Sequence, residues 1–408
     1  MTTGAAHSAA PPRPLALFAN PAYRALWIAG AVIGTVRWLE MLAAGVYAYD
    51  RTGSPLTVAF LTILRFLPLA LFGALFGALA DRVNRQAFLL FGLLAMAGQS
   101  WLLGLLATSG RIELWHIGCG AFLNGLFWTT DLPVRRTLIG ETVDAHGVGT
   151  ALSLDAVTNN GTRMLGPLLG GLILEILGLD GAYFLSLTLY ALGFLAIAKL
   201  SLRERRMHDG GAGVWASIVA GLRHVRDNRA LAGTLMVTII YNLWGFPFTA
   251  MIPVIGRETL HLSPFPVGLL AGAEGAGAFL GALAIAFFGQ PRHYRKLYFH
   301  GAAIYQVTVT VFAFSPWAPL SGAVLLVTGL GAAAVNTMQA TLVFFAAPAE
   351  IRSRMMGVLS MCIGAAPLGY LHLGLLADAL GAPPAVALMA VEGLVALLLA
   401  YWYWPEIR

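Results

Sequence analysis

The residues of this sequence best placed to do chemistry are charged side chains set inside long apolar stretches. Arg37 and Glu40 stand three residues apart, hence on roughly one face of a helix. At the centre of a bilayer each charge alone costs roughly 2.5–3.5 kcal/mol on insertion scales, so something must offset it. Two readings stay open. The pair neutralises itself while facing a helix bundle, or the arginine binds an anionic or zwitterionic solute while the carboxylate exchanges its partner or a proton. Glu274 lies among Gly272, Ala273, Gly275, Ala276 and Gly277 with no basic residue within a turn. A desolvated carboxylate of that kind suits a proton carrier, unless Arg163 or Arg65 reaches it from another helix. Arg163 is therefore a candidate ligand for cargo or a structural partner of Glu40 or Glu274. Arg65, above Pro68, reads as a side chain that snorkels. Asn242, Asn336 and Gln339 supply neutral polar groups at depth and either bond neighbouring helices or anchor cargo. Grouped with Trp38, Trp128, Trp244 and Phe248, they imply a greasy cavity with a few polar anchors, suited to an amphipathic organic molecule. His116 reads as an interfacial residue.

Such charges need elements that cross a membrane. Of 408 residues, 58% are apolar and only 11% charged, too few to clothe a soluble protein of this size. Twelve segments of roughly 20 apolar residues, the length a bilayer core demands, run from one centred near Val36 to one near Leu394. The most polar interruption, Arg203 to Arg229, repeats Trp215, Ile218, Val219 and Leu222 at helical spacing opposite Arg223 and Arg226, and reads as an interfacial linker helix. The organisation expected is a tail over 1–22, a six-helix bundle over 23–202, the linker over 203–229, a second six-helix bundle over 230–404 and a short end over 405–408. The first twenty residues, rich in Ala and Pro, resemble a soluble tail rather than a signal peptide. Cys119 and Cys362 each sit in an apolar segment and read as small packing residues, not as a disulfide or metal site.

Arginines and lysines set the orientation. With both termini in the cytoplasm, all but six of the 25 basic residues fall on that side; Arg51, Arg111 and Arg257 lie opposite, and Arg37, Arg65 and Arg163 lie within spans. This scatter also excludes nucleic-acid binding as the reason for the net charge of +6. The halves resemble each other: residues 73–80 read GALFGALA and 277–284 read GAFLGALA, and Thr137-Leu138 matches Thr341-Leu342 after the fourth helix of each half. Such a repeat argues for one half rocking against the other about a central site.

Gly77, Asp81, Arg82 and Arg85 between the second and third helices resemble the loop signature of the major facilitator superfamily, with Asn84 at the family's second glycine and Gln86 at its last basic position. In the second half Ile285 replaces the acid, so one charge latch looks complete. Gly166, Pro167, Gly170 and Gly171 resemble the motif that marks antiporters of that superfamily, with Thr162 at a preceding glycine. Asp131, Arg135 and Arg136, with Gly53, Ser54 and Pro55, resemble the bacterial efflux branch of drug and siderophore exporters. The resemblance implies an all-α membrane protein of twelve transmembrane helices in two pseudo-symmetric six-helix bundles, monomeric and located in the inner membrane.

The function expected is secondary active transport: proton-coupled export of an amphipathic small molecule by alternating access. Its partners would be that substrate, protons and the lipid bilayer. Uptake of an organic anion, lipid translocation and a transporter-shaped sensor or scaffold are the alternatives. No phosphate-cradling G-x-x-x-x-G-K-[ST] loop is present, so ATP hydrolysis by this chain is unsupported. No nucleophile-and-base spacing suggests an enzyme, and neither a cofactor nor a metal is expected.

Overall fold

The computed structural model describes residues 14–80, 84–144, 146–200, 224–225, 228–348 and 351–407. Residues 1–13 of the expected tail, 203–223 and 226–227 of the expected linker, and Asp81 and Arg82 lie outside them. The first half comprises α1 (Pro21–Thr52), α2 (Pro55–Ala80), α3 (Arg85–Thr108), α4 (Leu114–Thr142) and α5 (Val148–Ala198). Only glycine adopts the φ of 74° at Gly178 without strain, and there α5 folds into two antiparallel crossings. The second half comprises α6 (Arg229–Ile240), α7 (Met251–Glu258), α8 (Pro264–Phe288), α9 (Tyr294–Ala313), α10 (Ala318–Ala346), α11 (Arg352–Ile363), α12 (Ala366–Leu380) and α13 (Ala382–Tyr403). A π-helical turn at Tyr241–Gly245 and a 3-10 turn at Phe246–Ala250 join α6 to α7 in one crossing. Pro247 can supply no backbone N–H there, which breaks the regular ladder. α11 and α12 likewise make one crossing. Among the described residues this gives twelve crossings in two six-helix bundles, as the sequence predicts, with both termini on one face.

Arg229 Nε donates to Glu406 (2.9 Å) and ties the start of the second bundle to its end, while Asn20 Nδ2 donates to the Thr142 carbonyl (2.7 Å) and ties α1 to α4. The face carrying these contacts is called the terminal face, and the other the distal face. Lipid-facing walls are apolar; Phe91, Trp101, Phe287, Phe345 and Leu399 are all exposed. Cys119 is exposed as well, on the outer wall of α4, so it does not serve as the packing residue its apolar neighbours suggest.

The bundles meet along two seams, α5 against α8 and α2 against α12. Lipid tails are as apolar as leucine, so helices here gain from close backbone approach rather than from hydrophobic burial. The sequence provides it with glycine. A Cβ at Gly275 would lie 2.4 Å from the Arg163 carbonyl oxygen, and one at Gly171 would lie 2.5 Å from that of Pro264. Within the second bundle, a Cβ at Gly329 would lie 2.0 Å from the Glu274 carbonyl oxygen, backbone that no rotamer change can move aside. Gly329→Ala is expected to destabilise by about 1–3 kcal/mol, the usual range for overpacking, and to lower the midpoint of thermal unfolding in detergent. Gly98→Ala, where an added Cβ meets nothing within 4 Å, is expected to leave that midpoint unchanged.

Candidate functional site

Two charge networks occupy the membrane interior. The first lies within the first bundle. Glu40 on α1 accepts from Ser100 Oγ (3.2 Å, α3) and Asn124 Nδ2 (3.2 Å, α4), and Arg65 on α2 approaches it at 3.8 Å. Arg65 also donates to Asn124 Oδ1 and to the Arg37 carbonyl, both at 3.1 Å. Arg65 is 4% exposed, so it does not snorkel. The reason is local: Asn124, the Glu40 carboxylate and a backbone carbonyl together satisfy the guanidinium at depth, and no route to an interface is needed.

Arg37 and Glu40 do not form the self-contained pair that their spacing allows. Arg37 turns toward α4, where its guanidinium lies 3.6 Å from Asp131 and 4.3 Å from the centre of the Trp128 ring. Asp131 also accepts from Arg135 one turn on (3.4 Å), and Arg135 and Arg136 both bond Asp155 on α5, the latter at 3.1 Å. A Cβ at Gly30 would meet the Arg135 guanidinium, so α1 leaves room for this chain to cross beneath it. Asp131 and Arg135 therefore join a buried ladder of alternating charge through Asp155, with the exposed Arg136 at its end. Arg85 pairs instead with Glu141 (2.6 Å) at the end of α4. Gly77 belongs to α2, and its companions in the loop signature, Asp81 and Arg82, fall outside the described residues.

The second network joins the bundles. Arg163 Nη2 donates to Glu274 Oε1 at 2.6 Å; the two are 7% and 3% exposed, at the middle of the first crossing of α5 and of α8. The Arg163 guanidinium lies 5.3 Å from the Trp38 ring centre and 5.5 Å from that of Phe246. Of the alternatives left open for these residues, the structure shows the pairing, in which the arginine satisfies the carboxylate across the seam. Gly166 and Gly170 face α1, where added Cβ atoms would lie 2.7 Å from the carbonyl oxygens of Thr35 and Leu39, while Gly171 faces α8. The antiporter-like segment thus serves two close helix contacts, one inside its bundle and one across the seam.

On the distal side of Arg163 and Glu274 lies a small, partly open cavity of about 40 Å³. Its wall is mainly apolar, with Trp38, Met41, Leu42 and Val58 from the first half and Ile252, Pro253 and Ala271 from the second; Thr62, Thr249, Arg163 and Glu274 are its polar members. Trp38 Nε1 is buried without a hydrogen-bond partner. Asn242 donates to the Thr238 carbonyl of its own helix (2.9 Å), Asn336 is exposed, and Gln339 Oε1 is buried without a partner; these three do not line this cavity. Distal of it, Arg257 Nε donates to Asp50 (2.7 Å), and Glu175 Oε2 accepts from Ser263 Oγ and the Phe265 N–H, each at 2.7 Å. The polar contacts described between the halves lie at this depth or farther toward the distal face.

Several partners escape a reading by sequence. Asn124 and Glu392 are lone polar residues in apolar runs, the signal that marks Glu274. Glu392 Oε2 accepts from Trp244 Nε1 (3.0 Å) and lies 2.9 Å from His372 Nε2, which knits three crossings of the second bundle together. Ser100, Tyr190 and Asp155 carry no such signal, because they become partners only through packing. His116 accepts from the Glu113 N–H at the start of α4 (3.0 Å), in keeping with an interfacial place.

Residues 12–405 match a family described as transmembrane secretion effector. The chain belongs to that family, a branch of the major facilitator superfamily. It is a multi-pass membrane transporter, not an enzyme. It is 22% identical over 374 residues to macrolide efflux protein A of Streptococcus pyogenes, covering 87% of this chain and 89% of that one. It is 26% identical over 363 residues to the multidrug efflux pump Tap of Mycolicibacterium fortuitum, covering 86% and 88%. The fold superposes on the D323A mutant of the nucleoside transporter NupG with a TM-score of 0.76, at 12% identity over 93% of this chain and 99% of that one. It also superposes on a bacterial homologue of the lysosomal transporter Spinster, inward-facing and occupied, at 0.72, with 15% identity and 97% of each chain covered.

Within the first bundle, Arg65 and Glu40 share partners, so losing one strands the other. Arg65→Met or Glu40→Met alone is expected to cost about 3–5 kcal/mol, as for other buried pairs broken on one side. The double substitution should cost less than the sum by about 0.5–3 kcal/mol. Denaturant unfolding of the four proteins in detergent measures both quantities.

Proposed function

We propose that this transporter is a proton-coupled exporter of amphipathic small molecules and that Arg163 and Glu274 couple proton to cargo. The observation that carries this reading is the ion pair itself: it crosses between the halves at mid-membrane and borders the cavity. An ionised Glu274 holds Arg163 and favours the closed seam. A proton on Glu274 weakens that hold, and Arg163 is then free for an anionic or polar group of the cargo. The halves, residues 23–202 and 230–404 joined by a linker over 203–229, rock about the α5–α8 and α2–α12 seams, whose glycines allow sliding without interlocked side chains. The apolar wall and the unpartnered Trp38 N–H suit cargo that is mostly greasy with a few polar groups.

Two further parts of the reading rest on chemistry of the same kind. The excess of Arg and Lys on the terminal face supports a cytoplasmic place for both termini in the inner membrane, with the distal face outside. The contacts of Arg257 with Asp50 and of Glu175 with α8 then act as an external gate, closed in this conformation. Asp131, Arg135, Arg136 and Arg85 pair within the first bundle, which favours a part in holding that bundle rigid during rocking. The efflux relatives support export as the direction, and a monomer satisfies the arrangement.

Proteoliposomes with an imposed pH gradient, given a panel of amphipathic cations, anions and neutral compounds, test the coupling. Glu274→Gln is expected to lower gradient-driven movement at least about tenfold, the effect of removing roughly 1.4 kcal/mol or more of coupling, with folding intact. Glu40→Gln should retain it. If transport ignores the gradient and Glu274→Gln stays active, proton coupling is wrong and uniport or lipid translocation takes its place. The gate is tested separately in a cysteine-free background carrying Val58→Cys. Arg257→Gln is expected to raise labelling by a membrane-impermeant thiol reagent about 1.4- to 5-fold, because an exposed ion pair contributes about 0.2–1 kcal/mol.

A further inference from the structure

The outer wall of the second bundle carries a groove of about 490 Å³ between α9 and α10 that the proposed transport cycle does not use. His293, Lys296 and His300 stand at its rim on the terminal face, and Leu297, Ile304, Val327 and Leu330 form its walls. The floor is backbone: Gly301 and Gly331 are so close that a Cβ at Gly331 would lie 2.7 Å from the Gly301 carbonyl oxygen. Along α9 the groove runs eleven residues from His293 to Ile304, about 16 Å at 1.5 Å per residue. That is about half of a hydrocarbon core roughly 30 Å thick, the depth of one leaflet.

The rim is charged and, among the described residues, lacks a counter-charge. In the first half, Arg85 at the start of α3 pairs with Glu141 at the end of α4. By the register that matches Thr137-Leu138 with Thr341-Leu342, the residue corresponding to Glu141 is Phe345, which is 66% exposed. Among the described residues no carboxylate lies within ion-pair distance of Arg292, His293 or Lys296. Arg295 is held apart by the Glu406 carbonyl (3.0 Å), and His300 Nδ1 donates to the Lys296 carbonyl (2.8 Å), which ties the ring to the helix at the rim. From this combination of a basic rim with no described counter-charge and an apolar trough one leaflet deep, we infer that the groove is a binding site for an anionic phospholipid. Lys296, with the two histidines, takes the phosphate-bearing headgroup, and an acyl chain lies along Leu297 and Ile304. The proposed orientation enters only in assigning this lipid to the cytoplasmic leaflet; the site itself does not depend on proton coupling or on cargo.

Native mass spectrometry of the purified transporter, given equal amounts of dioleoyl phosphatidylglycerol and dioleoyl phosphatidylcholine, tests the site. The wild type is expected to retain phosphatidylglycerol preferentially. Lys296→Gln should lower that preference roughly fivefold, the contribution of one basic residue near a membrane surface, and adding His293→Gln and His300→Gln should bring it close to none. Val327→Trp, at a 40% exposed position, fills the far end of the trough and should reduce retention of phosphatidylglycerol with the rim intact. An unchanged preference in Lys296→Gln, or full retention in Val327→Trp, overturns the inference. So does displacement of the lipid by millimolar inorganic phosphate, which would make the rim an anion site without a lipid groove.

Discussion

An unpaired charge in hydrocarbon is the constraint on which the interior of this transporter depends. Each such charge costs a few kcal/mol, and the protein carries Arg37, Glu40, Arg65, Asp131, Arg135, Asp155, Arg163 and Glu274 inside its helices, all at most 7% exposed. Every one has an oppositely charged partner among the described residues, and most partners come from another helix. Helix positions are thereby constrained in a way that apolar packing against lipid could not achieve, because leucine gains little by exchanging an acyl chain for a neighbouring helix.

The two networks answer that constraint differently. In the first bundle each carboxylate has more than one basic or polar partner: Glu40 has Arg65, Ser100 and Asn124, and Asp155 has Arg135 and Arg136. No member belongs to the other half, so the network ties the five helices α1 to α5 into one body. Glu274 has one described cationic partner, and that partner belongs to the opposite bundle. A pair so arranged has a low-energy alternative only if a proton or a ligand replaces one member. That asymmetry between redundant and single pairing is what the proposed switch at Glu274 rests on.

Much of this was legible in the residues, and the limits have physical causes. Twelve crossings, two similar halves and the place of Arg163 and Glu274 as charges at membrane depth follow from hydropathy, self-similarity and the cost of buried charge, all of which are properties of single segments. Pairing is a property of two segments. Arg37 and Glu40 fit each other by spacing, yet each finds a better-connected partner on another helix, and Arg65 finds at depth what a snorkelling chain would seek at the interface. The irregular turn from Tyr241 to Ala250 was marked by Gly245 and Pro247, but whether a proline bends a helix or re-forms it as π and 3-10 turns depends on what packs beside it. Cys119 faces outward because the helix phase, not the composition of its segment, decides which side a residue occupies.

The seam is built in a way that the proposed switch would require. Between α5 and α8 the two bundles touch largely through glycines set against backbone, at Gly171, Gly268 and Gly275. Backbone surfaces without interlocked side chains resist compression but allow rotation and sliding, so the strength of the seam is concentrated in its few polar contacts. At mid-membrane that contact is Arg163 with Glu274, and toward the distal face it is Glu175 with Ser263 and Phe265. The midplane pair is the stronger of the two per contact, because the low dielectric amplifies its attraction while the distal contact is exposed. A local change in the charge of one carboxylate can therefore alter the balance along the seam without unfolding either bundle.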